Sequence, residues 1–313
     1  MKKSFVNEAH VEGYLYDHKL EKKVSGPNSK NPGTEYIAGS ISVATDDKME
    51  NVIMIHYTYV TAVTSKGSEN STYTALNKIL SDNPTVLNVG VDKAAKVRCD
   101  PAIGVREWFR ELTDEKPVSI VRNEGGFVHI VNSINDDEKL RNTFKADMLI
   151  TNVREVEADE EKKTEACVRV RGAIFNFRKQ LIPVEFVVRS KGGMNYFLGL
   201  EPNGKHPVFT CVWGRELSQT VVTRTITESA FGEDEVRERE SSTREFVITG
   251  CSKEPYEFDD ESTITAAELS QAMSDRELML ATMKKNQEEY QASRNGASAS
   301  AAAPAATAGD YNF

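Results

Sequence analysis

The sequence predicts a mainly β protein: two successive five-stranded barrels, then a C-terminal α-helix, then a disordered tail. Three observations carry this reading. Short runs rich in β-branched and aromatic residues alternate with turn-forming clusters along most of the chain. One six-residue pattern occurs twice, at the start of each half. Beyond Thr263 the composition changes, first to strong helix formers and then to Ala, Ser, Pro and Thr.

Residues 10–20, 35–45 and 52–63 read as the first three strands, separated by turn-like stretches at 25–33 and 45–48. Residues 72–81 have the pattern of a short helix. Strands resume at 95–99, 118–122, 127–133 and 144–156, which gives a first domain of residues 1–156. The acidic segment 157–166 reads as an interdomain linker or an exposed hairpin loop. In the second domain, residues 167–258, strands are expected at 168–179, 183–190 and 194–200. The last two are joined by Lys191-Gly192-Gly193, a hairpin signal. Residues 208–214 and 220–227 follow, then a charged loop at 231–243 and a closing strand at 244–250.

The repeated pattern is Val-x-Gly-x-aliphatic-aromatic. It occurs as Val11-Glu12-Gly13-Tyr14-Leu15-Tyr16 and as Val170-Arg171-Gly172-Ala173-Ile174-Phe175. Aligned as the opening strands of the two blocks, these segments suggest a duplicated barrel whose glycine allows a bend at a corner. The helix, within residues 259–294, opens with the capping box Thr265-Ala266-Ala267-Glu268. Leu269, Met273, Leu280, Met283 and Tyr290 then follow helical spacing. Residues 295–313 are expected to be disordered.

Composition narrows the function classes. Hydrophobic residues make up 39% and charged residues 28%, the balance of a water-soluble globular chain. No apolar run approaches the length of a membrane span, and no apolar signal region follows Met1-Lys2-Lys3, so a cytoplasmic protein is expected. Cys99, Cys167, Cys211 and Cys251 are far apart and form neither a disulfide framework nor a zinc motif. The net charge of −9 is unevenly spread. Residues 253–313 carry −6, 155–165 carry −4 and 228–245 carry −4, which leaves the remainder at +5. A mildly basic body with acidic connections is compatible with nucleic-acid binding.

The segment 168–179 carries the most informative pattern. Alternation places Val168, Val170, Gly172 and Ile174 on one face, and Arg169, Arg171, Ala173, Phe175, Phe177 and Lys179 on the other. Cations interleaved with rings suit single-stranded nucleic acid, because bases stack on the rings while phosphates meet the charges. Each stacked base contributes about 1–3 kcal/mol. The first block offers Tyr14 and Tyr16 on its opening strand, and Tyr57 and Tyr59 on its third. Trp108 and Phe109 sit between Arg106 and Arg110, Trp213 lies two residues before Arg215, and Arg189 and Lys191 flank a turn. The competing reading places these rings in barrel interiors and leaves the arginines merely solvated.

Enzyme signatures are scarce. The sequence has no Walker-type loop, dinucleotide fingerprint, His-Glu-x-x-His or Gly-x-Ser-x-Gly, and its five histidines lack metal-ligand spacing. A non-enzymatic protein without cofactor or metal is expected.

The chain ends Gly309-Asp310-Tyr311-Asn312-Phe313, after a small, uncharged tether over 295–308. This arrangement resembles bacterial and phage-type single-stranded DNA-binding proteins, in which a DNA-binding body is followed by a low-complexity linker and an acidic tip ending in Phe. That family's tip usually carries several acids and a proline, whereas here there is one Asp and no Pro. The resemblance implies that the two barrels are OB-like and that single-stranded DNA is the partner. It further implies that Asp310, Tyr311 and Phe313 dock replication or recombination proteins, and that copies of the chain self-assemble. A phage-encoded member would act in the cytoplasm of a bacterial host. Two other readings fit the same composition: a β-rich viral structural or assembly protein with a flexible C-terminal tail that binds a scaffold, and a metal-dependent nuclease built from scattered acids.

Overall fold

The computed structural model describes residues 5–27, 29–158, 165–202, 207–227, 235–258 and 263–300, with side chains described outside 219–243 and 293–300. In chain order the elements are β1 (Asn7–His18), β2 (Glu21–Val24), β3 (Glu35–Ala44), β4 (Val52–Thr61), α1 (Ser71–Asp82), α2 (Val86–Val89), a single 3-10 turn (Val91–Lys93), β5 (Lys96–Trp108) and β6 (Val118–Val131). The second half holds β7 (Asn142–Val156), β8 (Cys167–Phe175), β9 (Leu181–Val188), α3 (Lys191–Leu198), β10 (Val208–Thr227), β11 (Glu235–Cys251) and α4 (Ala266–Ser300). The protein is mainly β. All eleven described strands belong to one hydrogen-bonded sheet.

The strand pairings within that sheet form two circuits. In the first, β1 pairs with β3, β3 with β4, β4 with β6 in parallel, β6 with β5, and β5 with β1. In the second, β7 pairs with β8, β8 with β9, β9 with β11 in parallel, β11 with β10, and β10 with β7. Each circuit places a helix, α1 or α3, between its third and fourth strands. Antiparallel pairing of β1 with β7, from Asn7 opposite Ala146 to Val11 opposite Asn142, joins the circuits.

Each circuit encloses apolar side chains projected by alternate strand positions. Val11, Leu15, Ile37, Ile41, Ile53, Ile55, Val97 and Val128 fill the first, with Leu76 and Ile79 of α1 beside them. Met148, Ile150, Val168, Val170, Phe186 and Val212 fill the second, joined by Phe197 of α3. Full burial of each such side chain contributes about 1.5–3 kcal/mol. A third cluster, Leu149, Phe175, Leu181 and Phe209, lies on the other face of the second circuit's strands and is covered by Ile264 and by Ala272 of α4.

Several expectations require correction. The sequence places the strand at 144–156 in the first domain, but β7 opens the second circuit, so the circuits divide between Val131 and Asn142. The acidic segment 157–166 connects the paired strands β7 and β8, and its residues 159–164 lie outside the described residues. Residues 194–200 do not form a strand. Ser190 caps α3 by accepting the Gly193 amide at 3.3 Å, and helical spacing turns Phe197 into the core. The expected strands at 118–122 and 127–133 are one strand, β6, continuous through Gly125 and Gly126, whose positive φ values mark a bulge opposite Pro101. Likewise β10 runs unbroken, and most of the expected loop at 231–243 belongs to β11. In β10 and β11 the ladder runs without interruption from Gly214 opposite Ile248 to Thr227 opposite Glu235.

The repeated pattern also pairs unlike strands. Val11–Tyr16 lies on β1, the first strand of its circuit, while Val170–Phe175 lies on β8, the second strand of the other. The two glycines nevertheless answer the same need. A Cβ on Gly13 would stand 1.9 Å from the carbonyl oxygen of Ala44 on β3, and one on Gly172 would stand 1.9 Å from that of Leu149 on β7. Each circuit crosses its first two strands too closely for any side chain, with the glycine on the first strand in one case and the second in the other.

The helix expected from the capping box is present. Thr265 Oγ1 accepts the Glu268 amide at 3.2 Å, and Glu268 Oε2 accepts the Thr265 amide at 3.0 Å. α4 continues to Ser300, six residues past the expected end. It bridges the two halves. Its first turns cover the third cluster, Arg276 forms an ion pair with Glu107 on β5, and Gln287 Nε2 donates to the Phe109 carbonyl at 2.8 Å. Among the described residues no helix is long and apolar enough to cross a membrane.

Candidate nucleic-acid interface

The structure separates the sequence-derived rings into exposed and buried sets. Phe177 is 85% exposed in the turn between β8 and β9, with the Arg178 guanidinium 5.2 Å from its centroid. Trp108 is half-buried at the end of β5, and Arg106 lies 5.5 Å from its ring. Tyr14 is half-buried on β1 with Lys96 Nζ at 5.6 Å from its ring. Tyr16, also half-buried, falls at the β1 bulge between Leu15 and Asp17, where it lacks a register partner on β3. Tyr59 is exposed and packs at 4.5 Å on Tyr36, and its hydroxyl lies 3.2 Å from Ser25 Oγ. Trp213 is exposed and lies across Gly250, where a Cβ would meet the indole at 2.4 Å.

Three rings expected to stack on bases are instead structural. Phe175 is 1% exposed because the alternation of β8 carries it under α4, where it stacks on Phe5 at 4.4 Å. Tyr57 turns into the first core, and burial, followed by the neighbouring Cys99, pushes its phenol well above the ordinary range. Phe109 is buried beneath Lys284 of α4, which lies 5.5 Å from its ring. Amphipathic strands place rings on both faces, and sequence alternation alone does not say which face a later element will cover.

The cations divide similarly. Arg169 and Arg171 project from one face of β8 and both reach Glu185 on β9. Burial pushes the Glu185 carboxyl up, but hydrogen bonds from Arg171 and Arg169 outweigh it and hold the group below its usual range. Arg189 is paired with Glu245 on β11. Arg154 of β7 stands opposite Arg169 and is exposed, so four arginines share this face with two carboxylates. Lys179 is exposed at a positive φ of 61° in the β8–β9 turn, and Lys191 is exposed in the first turn of α3. Arg215 is partly buried, with Nη2 3.4 Å from the Glu138 carbonyl. The tip residues Asp310, Tyr311 and Phe313 lie outside the described residues.

Sequence reasoning missed one ladder. On the outer face of β1, β5 and β6, Tyr14 stands beside Lys96, Glu12 beside Arg98 and Arg98 beside His129. Phe127, one step along, is 61% exposed and lies 6.3 Å from His129. Glu12 is buried and accepts from Arg98 Nε at 3.0 Å and from the Asn135 amide at 2.8 Å. His10 lies 3.0 Å from Asp100. The available signal was the alternation of Phe127 and His129 within the expected strand at 127–133.

Where the two circuits meet, a buried polar cluster forms. Asn123 Nδ2 donates to Glu216 Oε2 at 2.5 Å, while Asn142 and Asn51 both donate to the Glu216 carbonyl. Burial pushes the Glu216 carboxyl up to about 7, against the opposing effects of the Asn123 bond and of Arg244. Among the described residues no cluster of His, Cys, Asp and Glu is arranged to hold a metal ion.

The fold and these surfaces define a mainly β chain with solvent-facing rings flanked by cations. It belongs to the YorF family, whose model matches residues 6–286. No curated protein matches the sequence. Among solved structures it is similar to the wild-type single-stranded DNA binding protein from Thermus aquaticus, at 11% identity and a TM-score of 0.45, over 82% of this chain and 96% of that one. A deletion variant of the same Thermus aquaticus protein matches at 11% identity and a TM-score of 0.44, over 83% and 100%. Likeness this loose carries no conclusion about the present chain.

Proposed function

We propose that this chain binds single-stranded DNA, and that its two strand circuits are OB-type barrels. The observation that carries the reading is the set of accessible rings that each have a cation beside them: Tyr14 with Lys96, Trp108 with Arg106, and Phe177 with Arg178. A ring held next to a cation offers one base a stacking surface and the adjoining phosphate a charge. Exposing Phe177 and Phe127 to water otherwise brings no stability. The parallel pairing of third with fifth strands, and the helix between third and fourth, support the barrel assignment, whose oligonucleotide face lies on strands 2 and 3. That face in the second circuit carries Arg169 and Arg171.

Binding on this reading is passive. The strand lies across the rings, its phosphates displace counterions from the arginines, and no bond is made or broken. Residues 309–313 dock replication or recombination proteins, and copies of the chain assemble along the strand in the cytoplasm. The test is fluorescence anisotropy of labelled oligo-dT against a duplex of equal length at two salt concentrations. Tight, salt-sensitive binding with a strong preference for the single strand is expected. Equal affinity for both, or binding to neither, would overturn the reading, and the latter would favour a structural role.

A further inference from the structure

We propose a phosphate seat at the seam between the two halves, built from Arg106, Arg122 and Arg244 around His56. It rests on the single-strand reading only for the source of the phosphate. His56 of β4 is in register with Glu124 of β6, and positions two apart on a strand share a face. His56, Glu124 and Arg122 therefore stand together on one side. On the neighbouring strand Arg106 pairs with Ile120, which makes Arg106 and Arg122 diagonal neighbours, about 7–8 Å apart in this geometry. Gly104, opposite Arg122, leaves the space that the Glu124 side chain fills. The third guanidinium comes from the other half. Arg244 of β11 pairs with Ser218 of β10, whose amide donates to Asn51 Oδ1 at 2.7 Å just before β4 begins. This bond seats the β10–β11 arm against β4.

Among the described residues the charges at this seam do not balance. Glu124 neutralises Arg122 at 2.5 Å, whereas among the described residues no carboxylate pairs with Arg106 or Arg244. Glu216, the acid that Arg244 influences, is buried and largely protonated through weakly acidic pH. Arg106 lies over Trp108, an arrangement on the ring face that leaves guanidinium N–H edges for an anion. Like charges gathered on a partly buried wall raise the local concentration of anions. His56 fits the same role: burial first, then Arg122, Arg244 and Arg106, hold its pKa down to about 4. It is thus a neutral N–H donor and not a competing cation. A tetrahedral phosphate monoanion or a phosphodiester matches these donors, and a ligand held there would touch both halves at once.

The test uses the full chain with 13C-labelled histidine, observed by NMR, together with an Arg106→Gln/Arg244→Gln variant. Both residues are exposed, so the variant should keep the wild-type unfolding midpoint. Oligo-dT and, separately, inorganic pyrophosphate should each shift the His56 resonance of the wild type. The variant should bind oligo-dT about tenfold more weakly. Its salt slope should be shallower by about 0.7 for each phosphate that no longer meets a cation. Unchanged affinity and slope in the variant would overturn the seat and leave the DNA reading intact. Pyrophosphate shifting His56 without any oligo-dT binding would keep the seat as a site for free phosphate and remove the DNA reading. A His56 signal that neither ligand moves would remove the seat.

Discussion

Replacing Glu216 with Gln should make the protein more stable, and increasingly so as pH rises. The carboxyl is 3% exposed, and burial raises its pKa from 4.5 to about 7. In the unfolded chain the group loses its proton near 4.5, while the folded protein retains it until about 7. Folding stability is therefore undiminished below 4.5, falls as pH rises between the two values, and is lower by about 3 kcal/mol above 7. Gln removes the ionisation and keeps the local bonding. Its carbonyl can accept from Asn123 Nδ2, and its amide can donate to Asn123 Oδ1, which has no partner among the described residues. The stability gap between E216Q and wild type should thus widen by about 2–3 kcal/mol between about pH 5 and pH 8.5.

Urea unfolding followed by circular dichroism at about pH 5, 7 and 8.5 measures this gap. An E216Q protein that is less stable than wild type at the highest pH would refute the reasoning. So would a gap that does not change with pH. Either result would mean that Arg244 holds Glu216 ionised in the folded state, with attraction across the seam exceeding the cost of burial.

Other substitutions separate binding from folding. Phe177→Ala and Trp108→Ala should each weaken oligo-dT binding by about 1–3 kcal/mol in anisotropy titrations. Phe177→Ala should leave the unfolding midpoint in place, because that ring is almost wholly in water. Phe175→Ala should do the reverse, lowering stability by about 3–5 kcal/mol in urea through the void left against Phe5 and under α4. Gly13→Ala sets a methyl against the Ala44 carbonyl and should destabilise the first circuit by at least about 3 kcal/mol, seen as a loss of soluble protein or a fall in melting temperature. Thr265→Ala removes a cap and should cost about 1 kcal/mol, read from the same melts.

How much of the fold was legible in the sequence depended on the range of the interaction concerned. The capping box was fully legible because every partner lies within four residues. Strands β3 and β4 were legible because β-branched and aromatic residues fill both and turn-like stretches bound them. The first part of β11, read as a charged loop, was not. Its ladder holds residues such as Glu235 and Arg237, whose strand state depends on backbone bonds to a partner and not on side-chain type. The assignment of β7 failed for a related reason. Its sequence fits either neighbour equally, and only the pairing with β8 and β10 decides which circuit it opens.

The same limit governs the candidate site. Alternation correctly grouped Arg169 with Arg171, and it grouped Phe175 with Phe177 on the same terms. The two rings ended 1% and 85% exposed because Phe175 ends β8 inside the cluster that Ala272 of α4 covers, while Phe177 lies beyond the strand in the turn. The seam arginines show the strongest form of the problem. Arg106, Arg122 and Arg244 carry no shared motif and span more than a hundred residues. What unites them is that β5 and β6 extend past the first core while β10 and β11 extend past the second, so that the two arms lie beside one another's halves. A functional surface built where two arms cross has no linear signature, and is found only after the register of both ladders is known.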